Sequence, residues 1–278
     1  MLLAAIVDGQ RVSGLPLDDR GLAYGDGLFE TMRVVGGRVP LLELHLARLQ
    51  HGAHRLRLVL DGPVLQRELV HFLRAIADEG VADFTLKIIV TRGSAGRGYF
   101  PVDNAVARRM LLAFPVAAFP AGRADEGIRL FDCAMRLGIN PVLAGLKHLN
   151  RLEQVLARGE WDDPAFAEGL LCDVEGRVVE GTMTNLFVVK DGELVTPALQ
   201  RCGVAGVMRA WLIDRAGMLQ WRVVERDLSR AELDAADEVF VCNSNVGIWP
   251  VSCVGERCWV PGPVTRRLQR EVDRLWEA

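Results

Sequence analysis

The residues of this chain with the clearest chemical potential are its lysines, because there are so few. Lysine and arginine together number 33, of which 30 are arginine and three are lysine: Lys87, Lys147 and Lys190. Arginine stays protonated at any working pH, whereas a desolvated lysine can lose its proton and attack a carbonyl group. A codon bias toward arginine would also leave a few lysines at arbitrary positions. The residues around each lysine must therefore decide whether it is reactive or merely occupies an arbitrary position. Lys147 is the first candidate for a reactive lysine.

Three other segments combine charged, small and polar residues as binding sites do. Residues 179–187 carry Glu180 between two apolar stretches, and residues 203–209 lead from glycines into a predicted helix. Residues 240–245 form an apolar strand that ends in Asn-Ser-Asn. With the helix predicted after Lys147, these segments form the candidate site.

Histidine and cysteine spacing argues against a metal centre. The five histidines form no triad or ligand set, and His148 is expected to point away from Lys147 on a helix. The six cysteines contain no CxxC pair, and Cys253 and Cys258 lack zinc-ligand partners at the right spacing. We expect no metal and six reduced, mostly buried thiols. Residues 25–27 are a predicted turn in which Asp26 caps local backbone.

Composition excludes several classes of function. A net charge of −3 gives no basic surface for nucleic acid, although a local arginine cluster could still bind a small anionic substrate. The N-terminus lacks the basic region of a signal peptide, and the apolar run 110–120 is broken by Pro115 and too short to span a bilayer. A soluble, cytoplasmic protein is expected.

Hydrophobic periodicity predicts an α+β fold in two domains. Apolar residues at steps of three and four predict a helix over residues 42–56, and Asp191-Gly192 predicts a hairpin turn. Other helices are predicted at 64–77, 150–160, from about 205, and at 265–277, with strands at 28–35, 84–91, 107–115, 128–134, 168–173, 178–180, 186–190, 193–196 and 239–242. Because regular βαβ alternation is missing, a Rossmann sheet is not expected. We place a small N-terminal domain at 1–115, a linker at 116–127 and a larger C-terminal domain at 128–278.

Five segments resemble the class IV aminotransferase family of pyridoxal-phosphate (PLP) enzymes, also called fold type IV. They are residues 17–34, 91–100, 145–158, 180–187 and 203–209. The second and third point to the lyases of this class, which convert 4-amino-4-deoxychorismate to 4-aminobenzoate and pyruvate in folate biosynthesis. The resemblance implies a two-domain fold like that of D-amino-acid aminotransferase, with an α/β domain on each side of the linker and the larger one binding PLP.

The resemblance assigns cofactor roles to three charged side chains. Lys147 holds PLP covalently and then serves as base and acid. Glu180 keeps the pyridine nitrogen protonated, so that the ring can accept carbanion charge. Arg48 binds the phosphate with its fork of donors, although with 30 arginines in the chain a surface position is an alternative.

The phosphate is also expected at a helix N-terminus. Gly206 allows close approach, and Val207 and Met208 offer backbone N–H groups there. Ser244 aligns with a hydroxyl residue that reaches the phosphate, although a turn cap explains it nearly as well.

Four residues are substrate-binding candidates. Thr31 is expected to face the substrate, and Arg97 and Tyr99 lie on a loop that in related enzymes enters the active site of the other subunit of a homodimer. Arg151, four residues after Lys147, is expected on the same helix face and is a second candidate for gripping a substrate carboxylate.

Three functions stay open at this point. A lyase leads, and a class IV aminotransferase acting on D- or branched-chain amino acids is second. Leu152 stands where branched-chain enzymes carry a tyrosine, which favours the lyase. A protein that binds PLP without turnover is third, and the intact Lys147, Glu180 and Arg48 argue against it.

Overall fold

The computed structural model describes residues 2–12, 14–94, 96, 98–101, 105–120 and 122–277. The chain divides into two compact units. The first comprises Met1–Ala118 and Leu146–Asn150, and the second comprises Phe119–Gly145 and Arg151–Ala278. Lys147 thus belongs to the first unit, although the chain before and after it belongs to the second. Within the described ranges, no helix is long and apolar enough to cross a membrane.

The first unit is an antiparallel sheet covered by two helices. Its elements are β1 (Ala4–Val7), α1 (Arg20–Tyr24), β2 (Gly27–Val34), α2 (Leu42–Arg55), α3 (Gly62–Asp78), β3 (Phe84–Thr91) and β4 (Arg108–Phe114), with strand order β1-β4-β3-β2. Alternate residues of β2 are buried, since Leu28, Met32 and Val34 join the core with Leu49 of α2. The opposite face of β2 is free to carry polar side chains.

The second unit is built on a mixed sheet that closes on itself. Its elements are α4 (Gly122–Asp125), β5 (Ile128–Leu137), α5 (Leu152–Arg158), β6 (Phe166–Asp173), β7 (Val178–Gly181), β8 (Asn185–Lys190), β9 (Glu193–Pro197), α6 (Val207–Met218), β10 (Val223–Arg226), α7 (Arg230–Asp234), β11 (Glu238–Asn243), β12 (Gly247–Val254), β13 (Arg257–Cys258) and α8 (Pro263–Glu277). The strand order is β10-β9-β8-β11-β12-β5-β6-β7, and β7 also pairs with β8. This last pairing closes six strands into a ring, and the predicted α+β class is confirmed.

Local sequence explains several boundaries. Asp19 caps α1 by accepting from Gly21 N, and Gly25 ends that helix with φ of 64°, a left-handed conformation that glycine adopts without strain. Asp191 and Gly192 have φ of 49° and 78°, which produces the predicted hairpin between β8 and β9.

Two predictions are wrong. Lys147 does not lie on a helix, because α5 begins at Leu152 with Arg151 as its N-cap residue. Lys147 and Arg151 therefore do not share a helix face. In addition, Cys253 and Cys258 form a disulfide, since the pairing of β12 with β13 places them directly opposite one another. The other four cysteines are free and buried, as expected.

Candidate active site

Lys147 is fixed through its backbone to the start of β2. Phe29 N donates to Lys147 O at 3.0 Å, and Leu149 N donates to Gly27 O at 3.0 Å. The Lys147 ammonium group lies 4.4 Å from the centre of the Phe29 ring. The contact places the amine against the face of an aromatic ring, which attracts an ammonium group, and the amine attacks a carbonyl group once it has lost its proton.

A second lysine lies over the same ring. Lys87 of β3 is directly opposite Thr31 of β2, and its Nζ lies 5.1 Å from the Phe29 ring centre. Burial lowers the pKa of Lys87. Neither Phe29 nor Lys87 was predicted to be a site residue. The one sequence signal that could have pointed to Lys87 is the rarity of lysine, since the chain has only three.

Arg48 is held by a buried carboxylate on β2. Arg48 Nε and Nη2 donate to the two oxygens of Glu30 at 2.8 and 2.5 Å, and His45 Nδ1 lies 2.6 Å from Glu30 Oε2. Burial opposes ionisation of Glu30, but Arg48 and His45 outweigh it and hold the pKa of this carboxyl below its usual value. Burial lowers the pKa of His45 and outweighs the opposite effect of its contact with Glu30. The group positions Arg48 as a fixed cation.

The predicted substrate loop is described only in part. Arg97 lies outside the described residues. Tyr99 is 87% exposed, and its ring packs edge-to-face with the Tyr24 ring, with ring centres 5.5 Å apart. A tyrosine so exposed in one chain is available to a ligand or to another chain.

Glu180 of the second unit is a buried carboxylate on β7. It is 4% exposed, and its Oε2 accepts from Val204 N at 2.8 Å. Gly203 adopts φ of 83°, and a Cβ there would come within 3.2 Å of Glu180 Oε2. The glycine therefore leaves space around this carboxylate. Gly145 N donates to Gly203 O at 2.9 Å, and the residue after Val204, Ala205, donates back to Gly145 O at 3.1 Å.

The N-terminus of α6 has the properties of an anion site. Gly206 is its N-cap residue, no side chain caps it within the described structure, and Val207 and Met208 are its first two residues. A Cβ on Gly206 would overlap Asn185 Oδ1, so only glycine fits. Uncapped N–H groups and the helix dipole favour a phosphate at this end of the helix.

Two more candidates lie in the second unit. Burial lowers the pKa of Arg151, whereas the negative charges of Glu180 and Glu153 raise it. It therefore lies within electrostatic range of Glu180. Ser244 is half-buried in the turn between β11 and β12, where Asn243 Oδ1 accepts from the N–H groups of Asn245 and Val246. That turn is thus capped by Asn243.

A further carboxylate, which the sequence analysis did not identify, shapes the segment after Glu180. Glu168 of β6 is 1% exposed and accepts from the backbone N–H groups and hydroxyls of the 182–184 turn. These contacts hold residues 182–184 in one conformation between β7 and β8. The strand itself was predicted, but its pattern of apolar residues does not distinguish Glu168 as a buried, structure-forming residue.

The sequence of residues 27–254 matches the model of the family described as amino-transferase class IV. That range covers most of the chain and carries Lys147, Glu180 and the N-terminus of α6. The chain belongs to the class IV aminotransferase family.

Within this class, individual relatives match nearly end to end. The aminodeoxychorismate lyase of Vibrio harveyi is 38% identical over 96% of this chain and 98% of its own length. The crystal structure of 4-amino-4-deoxychorismate lyase from Pseudomonas aeruginosa is 52% identical, with a TM-score of 0.94 over 97% of this chain and 98% of that one. The crystal structure of a T.th. branched-chain amino acid aminotransferase with pyridoxamine 5′-phosphate is 25% identical, with a TM-score of 0.86 over 99% and 94%. The predicted fold type IV architecture is confirmed.

The donor set of this class IV chain fits a pyridoxal phosphate group. Lys147 supplies a primary amine over an apolar ring. Glu180 supplies a buried carboxylate, and the end of α6 supplies free N–H groups in a place where a Cβ would not fit. These three kinds of partner suit the three functional groups of PLP: the amine suits the aldehyde, the carboxylate suits the ring nitrogen, and the N–H groups suit the phosphate.

Proposed function

We propose that this class IV enzyme is a PLP-dependent lyase that converts 4-amino-4-deoxychorismate to 4-aminobenzoate and pyruvate. The observation that carries the proposal is end-to-end similarity to two proteins named as this lyase, at 38% and 52% identity. Leu152 at the first position of α5 supports the lyase over the aminotransferase, because branched-chain enzymes resemble this chain there but carry tyrosine. 4-Aminobenzoate is a folate precursor, so the enzyme would serve folate synthesis.

The residue roles follow from the chemistry of each group. When bound, PLP supplies an electron sink for the charge left by removal of a proton. Lys147 would hold the cofactor through Nζ, and the same amine would remove the proton from the substrate carbon that bears the nitrogen. Glu180 holds a proton at the cofactor's ring nitrogen. Arg48, Ser244 and the N–H groups of Val207 and Met208, reached past Gly206, hold the phosphate.

The bond cleavage needs little more from the protein than orientation. The substrate loses one proton and expels enolpyruvate, and its ring becomes aromatic. Lys147 then protonates the leaving methylene carbon to give pyruvate. Since aromatisation supplies most of the driving force, the residues mainly orient the substrate and exclude water.

A substrate with two carboxylates requires cations in the site. We propose Thr31, Arg97, Tyr99 and Arg151 as substrate-binding residues, with the 91–100 loop acting in the other subunit of a homodimer. Lys87 adds an ammonium group opposite Thr31. The apolar side chains that α5 exposes, Leu152, Val155 and Leu156, support a subunit interface.

A product assay tests the reaction. Purified enzyme with PLP is given 4-amino-4-deoxychorismate, and 4-aminobenzoate and pyruvate are quantified by chromatography. We expect the two products in equal amounts. Glutamate-dependent conversion of 2-keto acids, without 4-aminobenzoate, would instead favour the aminotransferase, whose support is the structural likeness to the branched-chain enzyme.

A further inference from the structure

Arg20 joins the 25–27 turn to the backbone of the loop that carries Tyr99. Its Nε donates to Asp26 Oδ2 at 2.9 Å, its Nη1 to Gly98 O at 2.7 Å and its Nη2 to Tyr99 O at 3.3 Å. Arg20 is 3% exposed. A buried guanidinium that fills its donors in this way fixes the groups it contacts, because releasing them would leave a buried charge without hydrogen bonds.

Asp26 is itself fixed from a second direction. Arg92, just after β3, donates from Nε to Asp26 Oδ2 at 2.7 Å and from Nη2 to Oδ1 at 3.0 Å. Arg92 also donates to the carbonyl oxygens of Leu56 and Arg57, which follow α2. The prediction that Asp26 caps local backbone is therefore wrong, because within the described residues its carboxylate accepts from two buried arginines and not from local backbone.

Aromatic contacts reinforce the same connection. The Arg20 guanidinium lies 4.8 Å from the ring centre of Tyr24, at the end of α1, and the Tyr24 ring meets Tyr99. The Tyr99 backbone is thus bonded to Arg20 of α1, and its largely exposed ring contacts Tyr24.

The same turn holds the chain around Lys147. Asn150 Nδ2 donates to Gly25 O at 3.1 Å, and Leu149 N donates to Gly27 O at 3.0 Å. Residues 25–27 therefore contact the lysine segment through backbone oxygens and the Tyr99 segment through Asp26 and Arg20. The two connections use different atoms and can be separated by mutation.

We propose that Arg20, held by Asp26, is a positioning residue that fixes Gly98–Tyr99 and thereby sets substrate affinity without altering the amine of Lys147. The part concerning affinity rests on the proposed lyase function. The part concerning the loop does not, because it concerns contacts within the first unit.

The test replaces the guanidinium but keeps its charge. Arg20→Lys retains a cation and cannot reach Asp26, Gly98 and Tyr99 together. Arg109→Lys is the matched control, since Arg109 is also buried in the first unit and bonds Glu68 through Nε and Nη2, without a bond to residues 98–99. Circular dichroism checks folding. Tyr24→Ala, which removes a partly exposed ring, tests the same contact without touching the buried charge.

Two readouts on the holoenzyme separate positioning from stability. Trypsin cleaves after Arg97, and we expect Arg20→Lys to be cut there roughly tenfold faster and Tyr24→Ala about threefold faster than wild type. KM should rise about tenfold in Arg20→Lys, while kcat and the absorbance of bound PLP stay close to wild type.

Specific outcomes overturn the proposal. Cleavage of Arg20→Lys at the wild-type rate would do so, and so would an equal increase in Arg109→Lys. A wild-type enzyme without lyase turnover would refute the proposed function only, because the proteolysis comparison still decides the role of Arg20. Unchanged KM beside faster cleavage would remove the link to substrate affinity.

Discussion

At the scale of single residues, the chemistry depends on which side chains lie beside the few lysines. Lys147 and Lys87 share the Phe29 ring, whereas Lys190 is an exposed side chain 3.1 Å from Asp237. One type of residue therefore occupies two very different environments. This contrast supplies an internal control for every experiment on the reactive amine.

Replacement of Lys147 should abolish turnover. Lys147→Arg keeps the charge but cannot form the covalent bond, so we expect loss of activity by at least about 10³-fold, whereas Lys190→Arg should be close to wild type. Borohydride reduction of the wild-type holoenzyme, followed by peptide mass spectrometry, should place the cofactor mass on Lys147. A fully active Lys147→Arg enzyme would refute the assignment.

The Glu30 carboxylate should matter for cofactor affinity. Glu30→Gln removes the charge that orients Arg48 and turns an amide N–H toward either Arg48 or His45. We expect the Kd for PLP to rise about tenfold, or roughly 1.4 kcal/mol, as measured by titrating apoenzyme. Glu79→Gln is the control, because its pair with Arg11 is exposed. Tighter PLP binding in Glu30→Gln would contradict this prediction. It would mean that Glu30 weakens PLP binding by neutralising the charge of Arg48 more than it strengthens binding by orienting that side chain.

At the scale of elements, local patterns located most of the helices and strands but missed some. Helices α2 and α3 and strand β3 were predicted to within a few residues, because apolar spacing and burial agree there. Strand β12 was missed. Pro250 lies inside it, and proline argues against a central strand. The sheet accommodates it because pairing with β5 begins only at Val251.

Two glycines of one helix should respond oppositely to alanine. In Gly206→Ala the new Cβ meets Asn185, so we expect weaker PLP binding and a loss of about 1–3 kcal/mol in stability. Gly217, inside α6, has open space around it, and Gly217→Ala should gain up to about 1 kcal/mol. Urea unfolding and PLP titration measure both. Equal effects at the two positions would contradict the close approach at Gly206.

At the scale of the whole molecule, buried carboxylates link folding to pH. In both Asp26 and Glu30 burial opposes ionisation, yet the neighbouring arginines hold each pKa below its ordinary value of 3.8 or 4.5. A carboxyl whose pKa is lower in the folded state adds stability that is complete above the unfolded value and is lost as pH falls through the folded one. The first unit is therefore predicted to be acid-sensitive.

Urea midpoints by circular dichroism should be nearly constant from about pH 7 to pH 5 and fall steadily below about pH 4.5. Asp26→Asn should be less stable at pH 7 and should show a shallower fall, since one of the titrating groups is gone. A slope identical to that of wild type would show that Asp26 does not contribute to the linkage.

Thiol reactivity should distinguish the disulfide from the buried cysteines. Burial raises the pKa of Cys133 and Cys242 to about 12 and that of Cys202 to about 11. At pH 8 almost none of these thiols is ionised. A reagent that reacts with thiolates should therefore label no cysteine in the native enzyme and four cysteines after unfolding. Reducing the disulfide before unfolding should add Cys253 and Cys258 to the labelled cysteines. Six labels in unfolded, unreduced protein would contradict the disulfide.

The sequence by itself determined the class of the chain, the identity of Lys147 and Glu180 as candidates, and most of the regular elements. Those features are local, since a motif or an apolar spacing needs no distant partner. The tertiary structure alone decided that Lys87 shares the Phe29 ring, that Glu30 and His45 hold Arg48, and that Arg20 reaches Gly98 from 78 positions away. Such contacts join residues far apart in the chain, and strand register fixes them, so no local pattern records them.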